Sequence, residues 1–261
     1  MNTSTQVAPA VALSPTEALS FHRDGYAGPF TMCGEQEMAR VRAAAERELL
    51  GEQTEVLAPH IHRRLVWDLC AHPAVVRRVS GLLGRDLLVW SSALFVKPPG
   101  AKGVPWHQDI AYWHLEPGIT VSAWLAIDPA RVENSCVQVI PGSHKTVLPR
   151  IKADGWAFKK MADPSLFDSS GAVDMELSPG QFFLFNERIL HGSPPNSSDR
   201  RRLGLSIRYT VPFVRVNYDG FNMYRDHDDL KRVVLVSGED TMGFNPVAPP
   251  PEPAGDVQGR R

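Results

Sequence analysis

The first third of the chain has the hydrophobic spacing of amphipathic helices. Ser14-Pro15-Thr16-Glu17 combines an N-cap serine, a first-turn proline and a glutamate two positions later, and predicts a helix that ends near Gly25. Between residues 35 and 50, apolar residues recur at three- and four-residue intervals among charged ones. A third run, from His72-Pro73 to Gly84, has the same spacing and again begins with a proline. We therefore predict three helices, each with one face packed on a sheet.

From residue 87 onwards the pattern changes to short runs rich in β-branched and aromatic residues, which is typical of strands. We predict strands at about 87–97, 106–112, 120–127, 137–140, 173–177, 182–185 and 202–211. Seven strands with flanking helices fit a mainly β (α+β) fold built on a jelly roll. Residues 145–170 lack a steady period, and we interpret them as an excursion that covers the mouth of the barrel. Residues 1–13 and 246–261 are expected to be disordered tails of a single domain.

Composition limits the classes of function. The chain has 261 residues, 43% of them hydrophobic, which is enough for one large core. Its net charge of −1 gives no basic footprint, so we expect neither nucleic acid nor an anionic membrane as a partner. Cys33, Cys70 and Cys136 are irregularly spaced, and there is no secretory leader and no apolar run of membrane-spanning length. These features favour a cytoplasmic protein with free thiols.

The candidate chemistry lies in Val-Pro-Trp-His-Gln-Asp-Ile-Ala-Tyr-Trp, residues 104–113. In a strand, His107 and Asp109 point to the same side and can bind one ion together. Alone, the pair is a weak signal, because a single histidine is more often a packed or surface residue. His191, in Ile-Leu-His-Gly-Ser, adds a second imidazole from a distant strand. Two imidazoles and one carboxylate with other positions open are the ligands of a non-haem Fe(II) centre.

Arg202 follows His191 by eleven residues and begins the last predicted strand. A guanidinium makes two parallel hydrogen bonds to a carboxylate and stays charged at any working pH. We therefore expect Arg202 to lie near the metal and to bind the far carboxylate of 2-oxoglutarate.

With these residues the sequence resembles the phytanoyl-CoA dioxygenase-like Fe(II)/2-oxoglutarate oxygenases. The resemblance covers roughly residues 14–244 and rests on four motifs in family order, at 106–109, 133–145, 177–181 and 191–202. It implies a double-stranded β-helix with His107, Asp109 and His191 as iron ligands. It also implies that Arg202, with Ser193, binds 2-oxoglutarate, and that dioxygen is the other co-substrate. The implied reaction hydroxylates an unactivated C–H bond and releases succinate and CO2.

Two details qualify the resemblance. Related halogenases replace the carboxylate by alanine or glycine, so the intact Asp109 favours hydroxylation; desaturation, ring closure or epoxidation would use the same ligands and stay open. The chain also departs from its relatives beside the motifs. Ser135 stands where glycine is common, so its turn must tolerate a side chain. Pro194-Pro195 stiffens the loop after His191.

Five further residues have two interpretations each. Trp124 lines the co-substrate site or is plain core; Trp113 shares the parity of His107 and lines a substrate pocket if that strand continues. Arg208 is an even number of positions from Arg202, so both side chains are expected on the same side of the strand. Arg208 either binds an anionic substrate or forms an ion pair at the barrel rim. His60 and Arg63 reach over the opening to the substrate, or belong to a solvated basic turn.

Substrate identity lies beyond the sequence, and we expect a small polar metabolite or natural-product intermediate. Two other classes of function stay open. One is an inactive jelly roll that serves as a ligand-binding or sensor protein. The other is a cupin-like isomerase or hydrolase with Zn or Mn at the same three ligands, in which Arg202 would have no role.

Overall fold

The computed structural model describes residues 12–51, 55–153, 160–221 and 224–253. Its α-helices are α1 (Pro15–Asp24), α2 (Glu35–Ala45), α3 (Arg64–Cys70) and α4 (Pro73–Leu83). Its strands are β1 (Tyr26–Thr31), β2 (Glu55–Leu57), β3 (Leu87–Lys97), β4 (Val104–His107), β5 (Leu115–Glu116), β6 (Val121–Ala126), β7 (Val137–Val139), β8 (Arg150–Lys152), β9 (Lys160–Ala162), β10 (Val173–Met175), β11 (Gln181–Asn186), β12 (His191–Ser193), β13 (Arg202–Thr210), β14 (Arg215–Val216) and β15 (Val234–Ser237).

Two antiparallel sheets form the predicted jelly roll. The major sheet has the order β1-β11-β6-β13-β3-β15, with β2 also paired to β3, and the minor sheet has the order β10-β7-β12-β4. Side chains of both sheets share one apolar cluster, in which Trp124 and Phe183 of the major sheet are grouped with Val137 and Val139 of the minor sheet. The two sheets therefore pack face to face, and the prediction of a double-stranded β-helix with flanking helices is confirmed.

The outer face of the major sheet carries the helices. Along β6, Val121, Ala123 and Leu125 belong to a second cluster that also contains Met38 of α2 and Val75 of α4. Successive residues of a strand point to opposite faces, so the residues between them face the minor sheet. The helical layer thus leaves the inner face free for the site.

The helix starts follow from local chemistry. In α1, the Ser14 side chain accepts a hydrogen bond from the backbone of Glu17, and the Glu17 side chain accepts one from the backbone of Ser14. The helix over 73–83 has the bounds that its pattern predicts. Where one helix was predicted over 35–50, α2 ends at Ala45 and residues 46–50 continue as a π-helical turn. Helix α3 was not predicted.

Two predictions about the ends of elements are wrong. The predicted strand 106–112 ends at His107, and Asp109–Ala111 form a 3-10 helix. Its neighbour β12 has only three residues, so the chain beyond His107 has no strand to pair with. The predicted tail is ordered up to residue 253. Val247 bridges Val233, and Ala248 is buried. Residues 1–11 and 254–261 lie outside the described residues.

The excursion predicted over 145–170 contains the β8–β9 hairpin and a short 3-10 helix, with residues 154–159 outside the described part. It packs beside β4: the Phe167 ring contacts Trp106 at 6.3 Å between centroids, and Arg150 lies over the ring of Tyr112. Its described residues are not among those that line the inner cavity. Coverage of the barrel mouth stays a prediction.

Candidate metal and co-substrate site

The three candidate metal ligands meet between β4 and β12. These strands are antiparallel neighbours in which His107 and His191 are paired, and the two imidazole centroids are 4.1 Å apart. Asp109 Oδ1 lies 3.5 Å from His107 Nε2 and 3.9 Å from His191 Nε2. All three side chains are buried, and one potential ligand atom from each lies within 4.8 Å of the other two. The structure thus brings His191 together with His107 and Asp109, which lie far earlier in the sequence.

Both imidazoles are oriented by the same local contact. His107 Nδ1 is 2.8 Å from the carbonyl oxygen of Pro105, and His191 Nδ1 is 3.0 Å from that of Ile189. A carbonyl oxygen can only accept, so Nδ1 carries the proton and donates in both rings. Nε2 then keeps its lone pair and faces Asp109, as in a metal-binding histidine whose other nitrogen is fixed by a backbone carbonyl.

The charges are those that a metal ion requires. Burial alone would raise the pKa of Asp109, but the contact with His107 and the charges of His191 and Arg208 lower it to about 2. Burial, with the neighbouring His107, lowers the pKa of His191 to about 4. At neutral pH the aspartate is therefore ionised and the His191 ring is neutral, which is the state that binds a cation.

Asp109 reaches this position through a turn and not through strand alternation. Between the two ligands, the Gln108 side chain is buried and makes three hydrogen bonds. Its amide nitrogen donates to the carbonyls of Thr146 (2.7 Å) and Arg188 (2.5 Å), and its oxygen accepts from the backbone N–H of Leu148 (2.8 Å). Gln108 thus ties two loops to the metal-binding segment, and the 3-10 turn that follows aims Asp109 at His107.

The ligands open into a cavity between the sheets. Its polar lining comprises His107, Asp109, His191, Ser193, Arg202, Ser206 and Arg208, and its apolar lining includes Phe95, Trp124 and Phe185. Arg202 and Arg208 stand at the two ends of the part of β13 that lines it. One strand thus carries a cation on either side of the ligands.

Arg202 is buried, and its charge is not balanced by a carboxylate among the described residues. Its Nη1 donates to the backbone carbonyl of Ser135 at 2.5 Å, and its Nε has no hydrogen-bond partner there. Burial lowers the pKa of Arg202 to about 10, so it stays charged at neutral pH. A buried guanidinium with an unsatisfied N–H next to a cavity indicates an anionic ligand.

Lys97 is a site residue that the sequence analysis missed. It is the partner of Arg202 in the β3–β13 register and is fully buried. Its Nζ donates to Ser135 Oγ at 2.6 Å, to Ser193 Oγ at 2.8 Å and to the carbonyl of Pro194 at 2.9 Å. At the end of a strand a lysine is expected in solvent, and only its even spacing from Ala93 and Phe95 could have placed it on the inner face.

Ser135 joins the two cations. Its φ of 76° lies in the left-handed region that glycine favours, so the turn keeps a glycine-like conformation despite its side chain. The hydroxyl contacts Lys97 and donates to Pro194 O, while the carbonyl holds Arg202. The departure seen in the sequence therefore lies in the support of the candidate co-substrate site.

Comparison with known proteins agrees with this geometry. Residues 21–204 match the family described as phytanoyl-CoA dioxygenase (PhyH). The chain belongs to this family. The family membership predicted from the four motifs is confirmed, and relatives in this family are named as dioxygenases.

Three similar proteins illustrate the relationship. The chain is 34% identical over 142 residues to "Dioxygenase lolE1" of Epichloe uncinata, covering 54% of this chain and 53% of that one. It is 30% identical over 157 residues to "Ectoine dioxygenase" of Streptomyces avermitilis, covering 52% and 53%. The solved structure "CytC3 with Fe(II) and alpha-ketoglutarate" has a TM-score of 0.70 and 28% identity, covering 91% of this chain and 93% of that one. The chain thus spans about half the length of such curated relatives, and nearly all of the structural one.

Trp124 lies both at the cavity and in the core of this PhyH-family chain. It lines the cavity, and Arg202 lies over its ring at 5.1 Å from the centroid, while its other contacts are with the core between the sheets. Gly204 makes room for it, because a Cβ at this position would lie 2.1 Å from the indole ring. The ring and the guanidinium are therefore packed as one unit.

The structure does not bring Trp113, His60 or Arg63 into the cavity lining. Trp113 follows the 3-10 turn, so it does not share the parity of His107; its ring packs on Trp90 and under Arg208. Arg63 is exposed at the start of α3. His60 is buried, but its Nδ1 contacts Ser92, a residue that alternates with the cavity-facing residues of β3. His60 thus lies on the helix side of the sheet, where burial lowers its pKa to about 3 and keeps it neutral.

Cys33, Cys70 and Cys136 are free thiols. None of the described helices is both long enough and apolar enough to span a membrane.

Proposed function

We propose that this chain is an Fe(II)/2-oxoglutarate-dependent oxygenase that hydroxylates a C–H bond of a small, polar metabolite or natural-product intermediate, with release of succinate and CO2. One observation carries the proposal. His107, Asp109 and His191 converge in the same cavity that also exposes a buried guanidinium, Arg202, with an unsatisfied N–H. A metal site alone would not require that guanidinium.

The donor set fits ferrous iron. Two neutral imidazole nitrogens and one carboxylate on one side leave further coordination positions open, which is the ligand pattern of non-haem Fe(II) oxygenases. Iron bound there would supply the redox chemistry that activates dioxygen. The chain's own contribution is to orient the ligands through the carbonyls of Pro105 and Ile189.

The co-substrate subsite is built around Arg202. We assign to Arg202 the far carboxylate of 2-oxoglutarate, with the hydroxyl of Ser193 as a second donor and the ring of Trp124 as one wall. Lys97 holds Ser193 by its hydroxyl and adds positive charge. A dianion suits this end of the cavity because two cations lie there, and Arg202 forms no ion pair with a carboxylate among the described residues.

The shared cavity favours a small substrate. The same space that the candidate metal ligands and Arg202 line must hold both the co-substrate and the molecule that is oxidised. Among relatives, "Ectoine dioxygenase" bears the name of a small molecule. These observations support a metabolite and not a bulky conjugate as substrate.

The proposal is tested by succinate formation from 2-oxoglutarate. We expect the wild type to release succinate only with Fe(II) and dioxygen, and Asp109→Ala to release less than about 1% of that amount. His144→Ala is the matched control, because His144 belongs to the motif at 133–145 but contacts the carbonyl of His22 outside the cavity. We expect it to keep wild-type activity.

Other outcomes identify the alternatives. Binding of 2-oxoglutarate without succinate formation, at any metal and with a metabolite extract present, would indicate a sensor or ligand-binding protein. Turnover of a metabolite without oxygen and without 2-oxoglutarate, supported by Zn or Mn, would indicate an isomerase or hydrolase. Either result would overturn the proposal.

A further inference from the structure

Arg208 stands at the end of the cavity opposite to Arg202. The two arginines are six positions apart in the extended strand β13, which puts their Cα atoms about 20 Å from each other. Arg208 lines the cavity together with Asp109 and His191. It is therefore placed to meet the molecule that is oxidised and not the carboxylate bound at Arg202.

The hydrogen-bonding capacity of Arg208 is largely unused by the protein. Nη1 donates to Ser91 Oγ over a long 3.3 Å, and Nε is buried without a partner among the described residues. The carboxylates of Asp109 and Glu55 both feel its charge, but neither forms an ion pair with it within 4.0 Å. Among the described residues Arg208 thus forms no rim ion pair, and a half-buried cation faces the cavity.

A buried hydroxyl beside Arg208 is also unsatisfied. Ser122 on β6 and Ser91 on β3 are the two cross-strand partners of Arg208, so all three side chains share the inner face of the sheet. Ser122 is fully buried, and its Oγ has no hydrogen-bond partner in the described structure. Ser91 Oγ contacts the hydroxyl of Tyr224 at 3.0 Å. The unsatisfied hydroxyl of Ser122 thus lies on the same face of the sheet as Arg208, which lines the cavity.

Trp113 fixes the position of the guanidinium. Arg208 lies over its ring at 5.1 Å from the centroid, and Trp113 in turn packs edge-on against Trp90 at 4.9 Å. The Trp90 indole N–H donates to Thr120. A stacked guanidinium keeps its N–H donors in the ring-parallel plane, where they can make two parallel bonds to an oxyanion.

We propose that Arg208, with Ser122 beside it, binds an oxyanion group of the primary substrate, a carboxylate or a phosphonate. This inference rests on the proposed function, because it presumes that Arg202 is taken by the co-substrate. A substrate bound in this way is anchored at one end of the cavity while 2-oxoglutarate is anchored at the other. The metal ligands face the space between them, so the oxidised C–H bond lies within a few bonds of the anionic group.

The test compares acids with neutral analogues of the same size. The probes are straight-chain carboxylates of three to six carbons and the corresponding alkylphosphonates, each carboxylate paired with its primary amide. They are titrated into the protein with Fe(II) and saturating 2-oxoglutarate and without oxygen, so that Arg202 is already occupied. Tryptophan fluorescence reports binding, because Trp113 lies under Arg208; the response should shrink in Trp113→Phe.

We expect the wild type to bind at least one acid about tenfold or more tightly than its amide, which is the value of a hydrogen bond between charged groups. Arg208→Gln should lose this preference. Arg208→Lys keeps the charge but not the two parallel N–H donors, and it should reduce the preference for the acid in part. Ser122→Ala should also reduce it in part. These two variants replace Arg208→Gln in the test if that variant does not fold. Arg63→Gln is the matched control, because Arg63 is exposed and does not line the cavity.

Three outcomes would overturn the inference: no acid binds to the wild type, acids and amides bind equally, or Arg208→Gln keeps the preference. Failure of the proposed function is recognised separately, since it would appear as absence of succinate formation by the wild type under Fe(II) and oxygen. Binding of acids is measured without turnover, so the two results are independent.

Discussion

Lys97 is the residue whose role in this site differs most from what its sequence position suggests. It donates to Ser193 and to Ser135 next to Arg202. We predict that Lys97→Met raises the KM for 2-oxoglutarate about tenfold, because a charge and the orientation of Ser193 are both lost. Thermal stability should stay equal or rise, since an apolar side chain of similar size replaces a buried charge. Steady-state succinate formation and a thermal melt measure the two effects, and a matching loss of stability would argue for a purely structural lysine.

The same residue predicts a pH dependence. Burial and the charge of Arg202 lower the pKa of Lys97 to about 7. Its positive charge is therefore present below pH 7 and lost above it. We expect the affinity of the wild type for the 2-oxoglutarate dianion to fall between pH 6 and 8, and that of Lys97→Met to change less. Equilibrium binding across this range, with Arg63→Gln as reference, checks the prediction; parallel curves for Lys97→Met and wild type would contradict it.

Glu187 links stability to pH. It is buried in the loop before His191, and burial raises the pKa of its carboxyl to about 7. The ordinary value is 4.5. The native state therefore binds the proton more tightly than the unfolded chain, so this contribution to stability is complete below pH 4.5 and is lost as the pH rises through 7. We predict that Glu187→Gln, which keeps the shape without the charge, is more stable than the wild type at pH 8 by about 3 kcal/mol but not at pH 4.5. Urea unfolding at both pH values measures this; an equal difference at both would exclude a titration of Glu187.

At the scale of elements, the metal-binding segment depends on Gln108 as much as on strand β4. Its amide makes three hydrogen bonds to the backbone of residues 146, 148 and 188. We predict that Gln108→Ala lowers the free energy of unfolding by about 2–3 kcal/mol, because buried backbone groups lose their partners. It should also weaken Fe(II) binding, since the turn that places Asp109 loosens. Gln138→Ala is the control, because the Gln138 side chain is a similar amide that contacts Asp174 on the minor sheet outside the cavity lining. Unchanged iron affinity in Gln108→Ala would show that the turn is rigid by itself.

Local sequence patterns predicted that the three candidate ligands converge, but they did not predict the 3-10 turn that positions Asp109. If His107 and Asp109 lay in one strand, the alternation of side chains would place them on the same side. The 3-10 turn that the structure has instead also brings them together. The sequence could not distinguish the strand from the turn. The strand ends at His107 because its neighbour β12 consists only of His191–Ser193 and offers no further residue to pair with. Capped helices such as α1 and α4 were predictable, since a serine or proline start acts within one turn.

At the scale of the molecule, the major sheet separates two environments, and this separation decides which polar residues can act. Arg202 and Arg208 face inward, whereas His60 contacts Ser92 on the side of the helices. The alternation of side chains along β13 was enough to predict that Arg202 and Arg208 point to the same side. The side that a loop such as 59–63 takes depends on tertiary packing, and for His60 and Arg63 the sequence offered no period to follow. The strand-end residue Lys97 was missed for a related reason, because its burial depends on Ser135 and Ser193 from two other segments.

The segment 246–253 closes the far edge of the major sheet and was predicted to be disordered because of its prolines. Val233 donates to the carbonyl of Pro246 at 2.9 Å, and Ala248 donates to that of Val233 at 2.8 Å. Val233 directly precedes β15, which pairs with β3, and β3 carries Ser91 near its middle and Lys97 at its end. Proline has no N–H to donate, but the carbonyl of Pro246 accepts from Val233. The one N–H that the segment itself donates in this contact comes from Ala248.

We predict that a chain ending at residue 245 is less stable than a chain ending at residue 253 by about 2 kcal/mol, the value of two backbone hydrogen bonds, which corresponds to a fall of about 5 °C in Tm. Because the edge of β3 is far from the metal ligands in the sheet order, the iron affinity of the folded shorter chain should be unchanged. Thermal melts and Fe(II) titrations of the two chains measure both effects. Equal melting temperatures would show that the ordered contact contributes nothing to stability, and a loss of iron affinity without a loss of stability would show that the segment supports the site through β3.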